Sequence, residues 1–584
     1  MGKLGRKLRK STESNLMRFW LAITVFVAGL VSSAVGIVNQ IENRPLDAIV
    51  AGGELIEPTT YVYIPNKLLT AYQGDITLIA RGDAQVFIGF ARESDIQAWL
   101  GDSPHVELGL RVNTANETAA ITEISRPGTG ELADPTSSDI FRDSYSFSRV
   151  AEIKLQPEPE IGALIATTGI ELAPRIVQLT WTLPTEGSQI APITIVGAGL
   201  MSLGGLLGIW AAIAYARRFG SKRNRKGPRG PKPKTSRQVG SAAGTNPDSR
   251  RATRVKFAVL AIAALSLSGC VPEYQNPTLN PEPLPPVGVL TPVMNRQQLE
   301  RILDDIETVV ADADAELDRE SIEVRVDGPA LQLRRFAYNL ARRSEDAQAA
   351  LTPIKTFPVQ LFLPSATDTW PRSVMVVTGD EELQLLVLRQ ESAREQYKLY
   401  HYIDILPGSN FPAVAAEEVG ANAIKVDNKF LFASPLLIPD LVGELLNEGP
   451  EAPASALLDP DNSYIRDVSA VQRGLAETLS NANLNFDHNL GDFSLVMLAT
   501  ADGGALVAMF MVDTYTIIPR EPGDAVAISG DEALLLGSAG SATGIETRYG
   551  SMLLFHVPAA GSESRISLLG ATQQLMTAVS LGAQ

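Results

Sequence analysis

The stretch FWLAITVFVAGLVSSAVGIVNQI, residues 19–41, has no charged side chain and decides how the rest of the chain is divided. A helix of this length can cross a hydrocarbon core about 30 Å thick. Residues 1–18 hold six Lys or Arg and one Glu, a basic flank that predicts a cytoplasmic N-terminus. We therefore expect an uncleaved transmembrane helix. The alternative is a cleaved signal peptide, but the apolar run is long and no clear Ala-x-Ala site follows it.

A second apolar stretch, residues 193–216, predicts a second transmembrane helix. Residues 217–256 follow it and contain 14 Lys or Arg and one acid among Gly and Pro residues. This composition indicates a disordered loop, and the positive-inside rule assigns it to the cytoplasm. Residues 45–190, between the two helices, would then lie outside. We expect the loop to be attracted weakly to anionic inner-leaflet lipids rather than to bind nucleic acid.

The only cysteine of the chain lies in residues 257–270, at the end of a short apolar run. Basic residues precede the run, which ends in Leu267, Ser268, Gly269 and Cys270. This order resembles the lipobox of bacterial lipoproteins. The resemblance implies cleavage before Cys270 and covalent diacylglycerol on its sulfur, which would anchor the following chain to the outer leaflet. The internal position departs from that family, so a third, uncleaved transmembrane segment is the alternative.

Length, charge and cysteine content exclude several classes of protein. The 584 residues exceed what one hydrophobic core supports. The net charge of −16 conceals two acidic regions, with −11 in residues 19–216 and −23 in residues 257–584. Acidic outer regions argue against nucleic acid as a partner. A single cysteine excludes an intramolecular disulfide framework and a cysteine-based zinc site. The Pro-rich residues 271–293 predict a semi-rigid tether.

Residues 45–190 predict an all-β domain, because short β-rich segments alternate with turn residues. The clearest strands are Ile76–Ala80, Val86–Phe90, Val150–Leu155 and Arg175–Leu183. One short helix is expected at Ser94–Leu100. These features favour a sandwich-like ectodomain between the two transmembrane helices. Such a domain is more often a binding module than an enzyme.

Residues 294–410 predict an α+β unit, because two amphipathic helices precede four strands. The helices are expected at Met294–Leu317 and Pro329–Arg343, and the strands at Val359–Leu363, Ser373–Thr378, Leu383–Arg389 and Gln396–Leu406. This order resembles the cystatin-like and nuclear-transport-factor-2-like folds, in which helices cover a strongly curved sheet.

A related order recurs in residues 411–584, which we interpret as a degenerate second copy of the unit. Its predicted helices are Leu436–Leu446 and Tyr464–Leu479, and its predicted strands are Phe493–Thr500, Ala505–Ile518, Glu546–Val557 and Arg565–Leu569. Asp502-Gly503-Gly504 indicates a hairpin turn between the first two of these strands. A closing helix is expected at Ala571–Val579.

The lipobox, the tether and residues 290–584 together resemble uncharacterised actinobacterial membrane-linked lipoproteins. Two stretches carry the resemblance, the run from Trp370 to Val377 (WPRSVMVV) and Arg394-Glu395-Gln396-Tyr397. The resemblance implies a membrane-linked location and the fold. It implies no chemistry, because that family has no established activity to transfer to named residues.

The sequence offers few candidates for catalysis. The four histidines are isolated from one another, and metalloprotease, nucleophile-elbow and phosphate-loop motifs are absent from it. Strand alternation assigns His401 to one face with Tyr397, Leu399, Ile403 and Ile405, where His401 and Tyr397 could line a pocket. A hydrogen-bonded core histidine is the favoured alternative. We therefore expect no catalytic residue.

Two acidic pairs could in principle hold a divalent cation. Asp312 and Asp314 lie near a helix end, and Asp459 and Asp461 lie in a turn that contains proline. Helix capping and solvated helix ends explain both pairs more simply. We expect no metal and no cofactor.

The sequence thus predicts a multidomain, multi-pass protein of the cytoplasmic membrane with both large regions outside the cytoplasm. We interpret it as non-catalytic, presenting binding or scaffold modules to an envelope protein, lipid or glycan. The alternative is an enzyme or accessory subunit of envelope glycan or lipid assembly, using a pocket in the C-terminal region. A cavity where His401 meets a carboxylate would favour the enzyme, and a filled interior would favour binding.

Overall fold

The computed structural model describes residues 4–42, 47–113, 118–167, 171–183, 192–219, 290–344, 346 and 351–582. The lipobox with Cys270, nearly all of the basic loop and most of the Pro-rich tether lie outside these residues. We call residues 47–183 the β region and residues 290–582 the C-terminal region.

Two long helices, α1 (Leu4–Glu42) and α4 (Pro192–Phe219), flank the β region in sequence and pack against each other. Each contains a segment long and apolar enough to cross a membrane, Met17–Val38 and Ile193–Arg217. Most of the large apolar side chains in these segments are exposed, including Trp20 and Leu206. Monomeric soluble proteins rarely expose a contiguous apolar surface of this kind.

Glycines allow the two helix backbones to approach closely. A Cβ atom on Gly29 would lie 2.5 Å from the Met201 nitrogen, and one on Gly204 would lie 2.6 Å from the Phe26 nitrogen. These pairs run in opposite directions along the chain, so the helices are antiparallel. The end of α1 and the start of α4 therefore lie at the same end of the pair.

The β region consists of two sheets around a common core. Its strands and helices are β1 (Ala48–Glu54), β2 (Val62–Ile64), α2 (Asn66–Leu69), β3 (Asp75–Arg81), β4 (Val86–Arg92), α3 (Glu93–Leu100), β5 (His105–Asn113), β6 (Thr118–Arg126), β7 (Asp143–Phe147), β8 (Val150–Leu155), β9 (Ile161–Ala166) and β10 (Ile176–Thr182). One sheet has the order β1-β10-β3-β8 and the other β6-β5-β2-β9-β4-β7. The four predicted strands and the short helix are confirmed.

The alternation of β10 explains how one sheet meets the core. Val177, Leu179 and Trp181 are fully buried, whereas Ile176 is exposed. Successive side chains of a strand point to opposite faces, so this face packs against the second sheet. The Trp181 indole nitrogen donates a hydrogen bond to the Leu69 carbonyl at 3.1 Å. The polar edge of the largest core side chain is therefore satisfied.

The C-terminal region repeats one element order, in which two helices precede an antiparallel sheet. The first half contains α5 (Arg296–Glu316), α6 (Gly328–Ala341), β11 (Val359–Pro364), β12 (Arg372–Thr378), β13 (Gln384–Gln390) and β14 (Lys398–Asp404). The second contains α7 (Ile438–Glu448), α8 (Ser463–Thr478), β15 (Ala482–Leu490), β16 (Val496–Ala499), β17 (Ala505–Pro519), β18 (Val526–Ala527), α9 (Gly530–Leu536), β19 (Gly540–Ser541), β20 (Ile545–Val557) and β21 (Ser567–Ser580). The hairpin at Asp502-Gly503-Gly504 is confirmed, because Ala499 pairs with Ala505.

The predicted closing helix at Ala571–Val579 is wrong. These residues belong to the strand β21, which pairs antiparallel with β20 from Ile545 to His556. Leu575, Met576 and Val579 have helical spacing in the sequence, but the long neighbouring strand supplies partners for their backbone groups. Tertiary pairing therefore overrides the local pattern.

The two halves of the C-terminal region are continuous. Ile405, after β14, bridges Gly570 of β21, and the Leu406 nitrogen donates to the Leu569 carbonyl at 2.9 Å. One hydrophobic cluster includes residues of both halves, among them Leu299 and Met552. The predicted units 294–410 and 411–584 therefore share a core.

Candidate functional site

The most elaborate arrangement of charged side chains lies where the β region meets the C-terminal region. We call this contact the inter-region interface. It contains two aspartates of the β region, Asp95 and Asp139, that are almost completely buried. Each is paired with an arginine of the C-terminal region that is equally buried.

Asp95, on helix α3, is the centre of the first group. Arg92, at the end of β4, donates to both carboxylate oxygens at 3.1 and 2.9 Å, and Arg372, at the start of β12, donates to Oδ1 at 2.7 Å. The Arg372 guanidinium also stacks on the Trp370 ring, 3.5 Å from its centroid. Arg92 extends the contact by donating to the Thr291 and Thr367 carbonyls at 3.0 Å each. One buried carboxylate thus connects both regions.

Asp139 is the centre of the second group. Its Oδ2 accepts from Arg325 Nη1 at 2.6 Å and from the Tyr397 backbone nitrogen at 2.7 Å. Burial raises the pKa of the Asp139 carboxyl, and Arg325 opposes that rise. Gln298 adds hydrogen bonds from its side chain to the Asp139 and Ile140 carbonyls, both at 3.2 Å.

Arg394 forms a third contact, which involves backbone acceptors. Its guanidinium donates to the Trp99 carbonyl at 2.7 Å, to the Glu131 carbonyl at 2.8 Å and to Ser103 Oγ at 2.7 Å. It also lies over the Trp99 ring, 5.2 Å from the centroid. This arginine therefore recognises the end of helix α3 by shape as well as by charge.

A cleft of about 290 Å³ opens beside the first group of charges. Apolar side chains from both regions line it, including Ile140 and Ile161 from the β region and Met294 and Phe362 from the C-terminal region. Pockets for drug-sized ligands usually measure about 300–1,000 Å³. The cleft is therefore at the lower limit for a small molecule, and the chemistry of the interface is mainly that of a stable docking contact.

The structure separates the two predicted pocket residues. Residue Tyr400 is an unpaired bulge, because His401 pairs with Val387 while Leu399 pairs with Leu388. Directly paired residues share a face of the sheet, so Leu399 and His401 lie on opposite faces. The predicted common face of Tyr397, Leu399 and His401 is therefore wrong, since the extra residue shifts the alternation.

The environments of Tyr397 and His401 also differ. Tyr397 is fully buried near the charges of the inter-region interface, and burial raises the pKa of its phenol. His401 is fully buried, and neither ring nitrogen has a hydrogen-bond partner among the described residues. Burial, with a smaller contribution from Arg389, lowers the pKa of His401 to about 3. Neither residue lines the cleft described above or the two further cavities of about 340 and 500 Å³.

Most residues of the two acidic pairs have arginine partners. Arg334 donates to both oxygens of Asp314, Arg565 donates to Asp459 at 2.8 Å, and Arg466 donates to Asp461 at 3.1 Å. Within the described part of the chain, no group of three or more His, Cys, Asp or Glu side chains has the arrangement of a metal site. Charge pairing therefore accounts for Asp314, Asp459 and Asp461.

A second buried histidine, His488 on β15, belongs to a polar network. Its Nδ1 lies 2.7 Å from Asp513 Oδ1, and its Nε2 lies 3.2 Å from the Gln472 amide nitrogen. The other Asp513 oxygen accepts from Ser551 Oγ at 2.6 Å and from the Gln573 amide at 3.1 Å. The serine thus bonds to the aspartate and not to the imidazole, so the group lacks the base–nucleophile contact of a hydrolytic triad.

Together these features define a class: a chain with two long apolar helices, a β region and an α+β region docked on it through buried ion pairs. Residues 290–580, just under half of the chain, match the family model described as a domain of unknown function, DUF8094. The C-terminal region is therefore similar to that family. No curated protein and no solved structure matches the chain.

The inter-region interface was not predicted from the sequence, although two stretches singled out there contain part of it. Trp370 and Arg372 in one stretch, and Arg394 and Tyr397 in the other, carried the family resemblance, and all four lie at the inter-region interface. The available signal for an interface was the position of Arg372 and Arg394 beside apolar and aromatic residues in the sequence. Their aspartate partners were not identifiable, because Asp95 lies 277 residues from Arg372.

Proposed function

We propose that this protein is a non-catalytic component of a bacterial cell envelope, in which the β region and the C-terminal region act together as one binding or scaffolding body. The inter-region interface carries this proposal. Buried ion pairs require accurate geometry, and breaking one of them leaves an unpaired buried charge. Two regions joined in this way present a fixed surface to an envelope protein, lipid or glycan.

We assign this body to the outer face of the cytoplasmic membrane. The basic residues 1–18 and 217–256 favour a cytoplasmic location for the far ends of α1 and α4. Only residues 43–46 connect α1 to the β region, and four residues span at most about 14 Å. The β region then lies close to the bilayer surface.

Docking of the C-terminal region on the β region supports a further membrane crossing. The far end of α4, which we assign to the cytoplasm, leads into residues 220–289. The region that begins at residue 290 nevertheless packs on the β region, which we assign to the outer face. The chain must therefore return across the membrane within residues 220–289. The apolar run in residues 257–269 is suited to this, either as a lipoprotein-type signal or as a third span.

We further propose that Cys270 carries diacylglycerol, as the likeness of Leu267-Ser268-Gly269-Cys270 to a lipobox implies. Cleavage before Cys270 would leave two polypeptides, and the inter-region interface would hold them together. In this proposal the β region is a sandwich-like ectodomain, and the C-terminal region is a tandem relative of the nuclear-transport-factor-2-like fold in a membrane-linked actinobacterial lipoprotein.

The surroundings of His401 support binding over the enzyme alternative. An enzyme that used this histidine would need a cavity and a carboxylate beside it. His401 is instead fully buried with no hydrogen-bond partner among the described residues, and the lowered pKa keeps its imidazole neutral at physiological pH. A buried, neutral histidine without hydrogen bonds is poorly suited to acid–base chemistry.

Interface variants of the full chain test the proposed function. A protease site is inserted in residues 271–289 and cut after mild detergent extraction, so that the two regions are separate polypeptides. Purification through an N-terminal tag should then recover the C-terminal region, and the pair Arg325→Ala and Arg372→Ala should abolish this recovery. Arg466→Ala, at an exposed ion pair, is the matched control and should leave it unchanged. Unchanged recovery from the double variant would refute joint action of the two regions.

Labelling with a fatty-acid analogue tests the lipid anchor separately. The C-terminal fragment should be labelled, and Cys270→Ala should remove the label. An unlabelled full-length product would exclude lipidation and favour the third transmembrane segment.

A further inference from the structure

A long segment without helix or strand connects the two halves of the C-terminal region. It comprises residues 405–434, between β14 and the short 3-10 helix Pro435–Leu437 that precedes α7. Four isolated bridges hold it to the body, pairing Ile405 with Gly570, Ala421 with Ser365, Ala423 with Leu498 and Leu431 with Ala559. Connections this long are uncommon in compact domains and are usually functional when they are ordered.

Apolar side chains project from the end of this segment and from the 3-10 helix that follows it. Phe430 is 79% exposed, and Val426, Leu436 and Leu437 are also exposed. Their chain neighbour Leu431 is buried, and the Phe430 carbonyl accepts a hydrogen bond from the Ala560 nitrogen at 2.7 Å. The backbone is thus fixed while the phenylalanine ring points outward. We call residues 423–437 the docking loop.

The docking loop carries a net charge of +1 within an acidic region. Residues 290–584 contain four lysines, and two of them, Lys425 and Lys429, are exposed in this loop with one acid, Asp427, between them. Residues 257–584 carry a net charge of −23. Lysines beside exposed aromatic and aliphatic side chains are typical of segments that lie at a bilayer surface.

We propose that the docking loop binds the membrane, inserting Phe430 and its apolar neighbours among the acyl chains while Lys425 and Lys429 contact anionic lipid headgroups. This proposal rests on the proposed function, which puts the C-terminal region at the outer bilayer surface. The four-residue connection to α1 keeps the β region near that surface, and the inter-region interface keeps the C-terminal region, with its docking loop, beside the β region. Charge complementarity favours an anionic lipid surface over a basic protein partner.

A spin label on the full chain tests the insertion. The chain is purified in the Cys270→Ala background, labelled with a nitroxide at Phe430→Cys, and reconstituted in nanodiscs of phosphatidylcholine alone or mixed with phosphatidylglycerol. The label should collide more with oxygen than with a water-soluble nickel chelate, most of all in the anionic discs. Val471→Cys, also at an exposed apolar position but on α8, should remain accessible to nickel. Lys425→Glu with Lys429→Glu should lower the ratio of inserted to free loop by roughly tenfold or more.

Each outcome decides one part of the proposal. Equal nickel access at positions 430 and 471 in both lipids would overturn membrane docking. Equal protection in neutral and anionic discs would overturn the role of the lysines. Protection that appears only when other envelope proteins are added would assign the loop to a protein partner and overturn the lipid proposal. The side of the membrane is tested independently, because an impermeant thiol reagent should label Val471→Cys in spheroplasts. Failure of that labelling refutes the proposed function and not the loop chemistry.

Discussion

The two halves of the C-terminal region follow the same order of elements but bury their histidines differently. In the first half, His401 on β14 has no hydrogen-bond partner among the described residues. In the second half, His488 on β15 bonds to Asp513 and Gln472. The first half thus leaves its buried histidine without a hydrogen bond, whereas the second places its buried histidine in a network of polar side chains.

The difference shows which contacts align the helices with the sheet in each half. In the second half, Tyr464 and Gln472 come from helix α8, and the other partners come from four strands, so the network connects the helix to the sheet. Such a network requires one alignment of helix and sheet. In the first half, the ion pair of the buried Arg334 with Asp314 joins helices α6 and α5 instead, and His401 takes no part in it. A shared element order therefore does not imply a shared site, and an activity found in one half would not transfer to the other.

Removing the carboxylate of Asp513, at the centre of the network in the second half, should have the largest effect on stability. Asp513→Ala leaves His488, Ser551 and Gln573 without their acceptor in a buried site, so we expect a loss of about 3–5 kcal/mol in the free energy of unfolding. The measurement is thermal or denaturant unfolding of the detergent-solubilised full chain. Asp487→Ala, at an exposed aspartate beside His488 in sequence, should change stability little. Equal effects of the two variants would show that the network does not stabilise the second half.

Local patterns predicted most of the fold, because most elements bury one regular face. Val177, Leu179 and Trp181 alternate as a half-buried strand must, and β10 forms where expected. Such patterns failed where distant partners decide the outcome. β21 is a strand because β20 runs beside it, and the Tyr400 bulge, which separates Tyr397 from His401, depends on pairing with β13. The inter-region interface was unpredictable for the same reason, since its ion pairs join residues far apart in the chain.

The next largest effect should be a loss of stability on acidification that is caused by the buried His401. The unfolded chain protonates His401 near pH 6.5, but the folded chain keeps it neutral until about pH 3, because burial lowers the pKa. Between these values the unfolded state binds more protons, so stability falls as pH falls, by up to about 1.4 kcal/mol per pH unit. His401→Leu removes this contribution. The stability difference between the variant and the original chain should therefore grow as the pH decreases from 6.5 to 5, and a constant difference would contradict the neutral state of His401.

The smallest effect should be a gain in stability at neutral pH. His401→Leu replaces two unsatisfied buried nitrogens with an apolar side chain of similar size, so we expect about 1–2 kcal/mol of stabilisation. The same substitution in the second half, His488→Leu, should destabilise the chain, because Asp513 and Gln472 would lose a partner. Thermal unfolding of both variants at pH 7.5 measures the two signs. Opposite signs would establish that the halves differ in how they use a buried histidine. A loss in both would mean that His401 has a polar role despite its lack of hydrogen bonds, and the first half would again be a candidate location for an active site.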